Sequence, residues 1–118
     1  MWHRRTMNAA SDIRSQATTL ARDLGGPWQP DDADRNLALA LVLARDDNGG
    51  RLTAPVITHI LLSASWGLKP IGAMYQLLAC TADVLDDPGQ RDSDTGREAL
   101  AEVNRLLDTV AALPPDGM

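Results

Sequence analysis

His59 is the one histidine inside the apolar part of the chain, and Ser63 follows it by four residues. On a helix those two positions share a face. Tyr75 and Cys80 fall in the next apolar run, with Asp83 just beyond. Nucleophilic catalysis needs a nucleophile, a base and a group that orients the base. Cys80 and His59 could supply the first two, but Asp83 is the sole acid in the two runs. The stronger reading is structural: a helix histidine satisfied by Ser63, water or a carbonyl, and a small buried thiol at Cys80. We assign no catalytic residue and expect no enzyme.

Metal and phosphate chemistry fare no better. Two His and one Cys are too few for a structural zinc site built from those residues. Asp46-Asp47-Asn48-Gly49 superficially resembles a calcium loop. Placing Gly49 sixth puts Ala44 first and Pro55 twelfth, where a bidentate Glu belongs. Asp92-Ser93-Asp94 has the form of a phosphotransfer Asp pair, but no strand precedes it to bury the pair. Asp31, Asp32 and Asp34 read as the acidic start of a helix, and Gly49-Gly50 lacks the following Lys of a phosphate loop. No cofactor and no metal are expected.

The elements that would position these residues are helices. The chain has 118 residues, 44% hydrophobic and 23% charged, which is one domain able to bury its own core. There is no Phe, so core volume comes from Leu, Ile, Val and Ala, which suits closely packed helices. Residues 1–10 read as a flexible extension, 11–113 as a single helical domain and 114–118 as a flexible tail. A first helix starts at Ser11, carries Ile13, Ala17, Leu20 and Leu24 on one stripe, and stops at Gly25-Gly26-Pro27. Trp28 folds back over the core. A second helix opens on Asp31–Asp34. Its Leu residues fall on odd positions, as in a strand, but Ala on the even ones favours helix. Leu on every side implies that this helix is sandwiched.

Leu52 to Leu85 carries only Lys69 and Asp83 as formal charges. It divides into a helix 53–66 capped by Thr53 and a helix 70–85 begun by Pro70, with Gly67 between. Each half is shorter than a membrane span and holds polar groups. Residues 86–94 form an acidic loop, and Thr95-Gly96-Arg97-Glu98 matches a capping box for a last amphipathic helix. The expected fold is all-α, a compact bundle of about five helices. The apolar pair 53–66 and 70–85 is central, and the first and last helices lie outside.

The net charge of −5 opposes a broad phosphate-binding face. A helix-turn-helix can be drawn across Gly67, but its recognition helix would offer only Tyr75 and Gln76 to base edges. The leading expectation is a small acidic regulatory or interaction protein. It acts through protein–protein contacts as a homodimer, or on a basic partner through its Asp clusters. The alternatives are a helix-turn-helix regulator and a binder of small apolar ligands. His59, Trp66, Met74 and Tyr75 are the candidate interface or pocket residues, on type and position. One cysteine leaves no internal disulfide, and no apolar signal core follows the basic N-terminus, so a cytoplasmic location without membrane attachment is expected.

Overall fold

Glycine, proline and aspartate at the predicted breaks divide the chain into helices that pack as an all-α bundle. The computed structural model describes residues 2–64 and 72–114, with side chains described for 9–63 and 72–114. The helices are α1 (Trp2–Asp23), α2 (Asp32–Asp47), α3 (Ala54–Ala64), α4 (Ala73–Leu85), α5 (Pro88–Arg91) and α6 (Asp94–Ala111). Among the described residues there is no strand, and no helix is long and apolar enough to cross a membrane.

The first helix begins nine residues before the predicted start. Ser11 is exposed in mid-helix rather than capping an end. The physical reason is that residues 2–10 contain neither Gly nor Pro, so nothing stops the helix from propagating back. Ala10, assigned to the flexible extension, is 1% exposed and continues the Ile13–Ala17 stripe. At the other end Gly25 takes a positive φ of 83°, and its N–H donates to the Trp28 carbonyl at 3.0 Å. Trp28 thereby returns to the core, half-buried.

Asp31 caps α2 by accepting from the Asp34 N–H at 2.9 Å, and the Asp34 carboxylate accepts in return from the Asp31 N–H at 3.3 Å. Leu37, Ala38 and Leu41 face the core. The helix is not sandwiched, because Leu39 and Leu43 point outward.

Among the described residues α4 packs against every other helix, whereas α3 packs only on α2 and α4. The expected pairing of the two apolar helices holds, since α3 is the neighbour on which α4 packs most extensively, and α6 packs chiefly on α1 and α2. Val103, Leu106, Leu107 and Val110 of α6 are all essentially inaccessible. A strongly amphipathic helix has a defined inner face. α3 covers α2 and α4 with Ala54, Ile57 and Leu61 and shows solvent Thr58, His59, Leu62 and Ser63.

The predicted acidic loop contains the single turn α5, capped by Asp87, whose carboxylate accepts from the Gly89 N–H at 3.0 Å. The cap of α6 is therefore Ser93, not Thr95. Ser93 Oγ accepts from the Gly96 N–H at 3.0 Å and donates to the Gln90 carbonyl at 2.7 Å. Gly96 is buried where α5 turns into α6. A Cβ there would overlap the Gln90 carbonyl oxygen and lie 2.9 Å from its carbon. Gly96→Ala should cost about 1–3 kcal/mol through forced backbone displacement. Gly89→Ala, whose Cβ meets only the Asp87 carboxylate at 3.4 Å, is the control. Thermal denaturation should show a clearly lower Tm for G96A than for G89A; equal values would refute tight packing at this corner.

Candidate functional site

The residues singled out from sequence do not converge. His59 lies on the exposed side of α3. Ser63 shares that side, and its hydroxyl donates to the His59 carbonyl at 3.1 Å, so it serves the backbone rather than the imidazole. Met74 is fully buried. It is core, and with no accessible surface it has nothing to present to a partner or ligand. Tyr75 is half-buried and packs at the edge of the core. Trp66 lies outside the described residues, as does the joint at Gly67 and Pro70 on which the helix-turn-helix reading depends.

Cys80 reverses its expected place. It lies on the solvent side of α4 rather than in the interior. Partial burial, followed by the charges of Asp83 and Asp12, pushes its pKa up. A raised pKa keeps the sulfur as a thiol, the opposite of an activated nucleophile. The outward positions of α4 include Gln76, Cys80 and Asp83, one acid and no base. A helix packed on five neighbours with that outer surface is poorly made for a DNA groove. Among the described residues no three His, Cys, Asp or Glu side chains gather as a metal would require.

Two surface features remain. A shallow groove of about 330 Å³ runs between α1 and α4, lined by Ser15, Gln16, Thr19, Leu20, Ala73 and Gln76. His59, Met74 and Tyr75 are not among its described lining residues. The second feature is apolar. Leu39 is 37% exposed, Leu43 61% and Leu62 62%; these are the exposed large hydrophobics among the described residues. All three lie on α2 and α3, two helices that pack on each other. Sequence reasoning missed the α2 pair because it placed Leu on all sides of a buried helix.

One buried polar group organises the region behind this surface. Gly72 is the N-cap of α4 and has no side chain with which to cap it. Asp34, 8% exposed, reaches across from α2, and its carboxylate accepts from the Met74 N–H. A Cβ on residue 72 would come within 2.9 Å of Asp34 Oδ1, so glycine is what permits the approach. One aspartate thus holds two helix starts, its own and that of α4. The sequence signals only the local half of this, the Asp31–Asp34 spacing.

Burial is the largest influence on Asp34 and raises its pKa above the ordinary carboxylate range, against the lowering effect of the backbone hydrogen bonds. A raised folded-state pKa means stability that is fully present below the unfolded pKa and lost as pH rises through the folded one. Asp34→Asn keeps an acceptor for the Met74 N–H and removes the charge. From about pH 4 upward, D34N should therefore gain stability relative to the parent, measured by denaturant titration across pH. Asp34→Ala, with no acceptor, should fall about 1–2 kcal/mol below D34N throughout. A parent–D34N difference independent of pH would refute this account.

Neither a family model, nor a curated protein, nor a solved structure matches this chain. The functional reading therefore rests on the surface and on the arrangement of groups described above.

Proposed function

We propose that this chain is a non-enzymatic interaction protein of the regulatory kind, whose first partner is a second copy of itself. The observation that carries the reading is the concentration of Leu39, Leu43 and Leu62 on two adjoining helices. Single exposed leucines are ordinary, but Leu39 and Leu43 share one face of α2 at i and i+4, and an apolar pair of that kind is what association covers. Two-fold homodimers are the commonest use of such a surface. His59 borders it on α3, as a polar rim residue.

The absence of catalysis in the proposal rests on dispersion. His59 and Cys80 sit exposed on different helices, and burial and nearby acids hold Cys80 in its thiol form. The acidic balance would then serve solubility or the capture of a basic protein by the assembled dimer. A cytoplasmic setting completes the proposal, since a single cysteine leaves no intrachain disulfide to form.

Sedimentation or light scattering at micromolar concentration should give about twice the chain mass of 12.7 kDa. Leu43→Asp and Leu62→Asp should each weaken the dimer at least tenfold, for a buried charge at an apolar contact is costly. Their monomers should keep the parental fold, because exposed positions tolerate substitution within about 0.5 kcal/mol. A parent protein that stays monomeric at 100-fold higher concentration would end this reading.

A further inference from the structure

The homodimer reading leaves open which element meets which, and the outward stripe of α2 narrows that choice. At 3.6 residues per turn, Asp32, Asn36, Leu39, Leu43 and Asp46 fall along one side of the helix, roughly opposite Leu37 and Leu41. All five are exposed. An isologous interface requires that if one residue meets another, the second meets the first across the axis. A Leu pair at i and i+4 satisfies this in an antiparallel helix pair, where Leu39 faces the partner's Leu43 and Leu43 faces the partner's Leu39.

Charge selects the same register. With the two-fold beside residue 41, Asp46 comes level with the partner's Asn36, whose amide can donate to the carboxylate. Asp32 comes level with the turn at the partner's Gly50. A parallel pair would instead set Asp32 against Asp32 and Asp46 against Asp46, a like-charge contact that the pairing of Asp32 with Arg35 and of Asp46 with Arg45 on the same helix offsets only in part, since both carboxylates are more than half exposed. We propose that α2 packs antiparallel on α2 of a second copy, with Leu39 seated against Leu43 across a two-fold axis beside residue 41. This rests on the homodimer reading. α2 is about 24 Å long and alone falls short of the ~800 Å² per partner of a standard interface. The α2 pair is therefore a small contact, and the dimer is reversible.

Cysteine cross-linking tests the register. Leu39→Cys and Leu43→Cys are placed in separate chains that both carry Cys80→Ser, then mixed under oxidised glutathione. In the antiparallel pair the two new thiols face each other, while a Leu–Leu contact remains on the other side of the axis. Like residues are offset by about 6 Å along the helices, beyond easy disulfide reach. The mixture should form at least tenfold more disulfide-linked dimer than either variant alone. Equal cross-linking of each variant with itself would overturn the register in favour of a parallel pair. A parent that sediments as a dimer while the mixture fails to cross-link would overturn the α2 pairing and leave the homodimer standing. A monomeric parent would remove both, and would turn the acid-flanked stripe toward a basic helix from another protein.

Discussion

Enclosing α4 is the constraint from which the other features follow. Its inward face carries Met74, Leu77, Leu78, Thr81, Ala82, Val84 and Leu85, all buried. With no Phe in the chain, that face must be covered by many small aliphatic side chains, and every other described helix contributes. Close approach then places demands on the backbone. Thr81 is buried, and its hydroxyl is satisfied by donating to the Leu77 carbonyl at 2.7 Å. The start of α4 lies against α2, where a buried N–H needs an acceptor. Gly72 makes room and Asp34 supplies it. Where α5 turns into α6, Gly96 makes the corresponding room for the Gln90 carbonyl.

Local chemistry made much of this legible. Gly25, the Asp31–Asp34 box and Gly49-Gly50 end or begin helices through interactions within a few residues, so spacing alone locates them. The all-α class follows from the same signals and from Ala and Leu composition. The non-local half was not legible. Asp34 reads as one of the acids that open its own helix, and nothing in the chain announces that it also serves a helix starting 39 residues later. Gly96 reads as the first helical residue after a Thr95 cap, and its crowding is not legible because the α5 backbone that crowds it belongs to a segment with no apolar pattern.

Phase failed in the apolar runs for a related reason. An amphipathic helix such as α6 shows its inner face through contrast with its polar one. Residues 54–64 and 73–85 offer little contrast, so neither the burial of Met74 nor the exposure of Cys80, six residues on, could be read from them. The candidate site suffered accordingly. Residues chosen by type alone scattered over a core position, a core edge and an outer face.

The helix α2 turns this ambiguity into a physical question. It carries one leucine pair at 37 and 41 and another at 39 and 43, on roughly opposite sides. Rotating it by half a turn would exchange the pairs at little cost in buried apolar area. Polar contacts break the tie. Arg45 donates to Asn104 Oδ1 at 3.1 Å and to Asp108 Oδ1 at 2.9 Å, fixing α2 on α6, while Asp34 fixes its other end on α4. Half a turn would carry both groups to the solvent side and leave the start of α4 without its acceptor. The exposed and part-buried Arg45 contacts contribute little net stability each, but leaving the N–H that the buried Asp34 satisfies without an acceptor is costly, and together they set the orientation. Leu39 and Leu43 are therefore held outward by the same contacts that hold Leu37 and Leu41 in, and slack packing does not account for them.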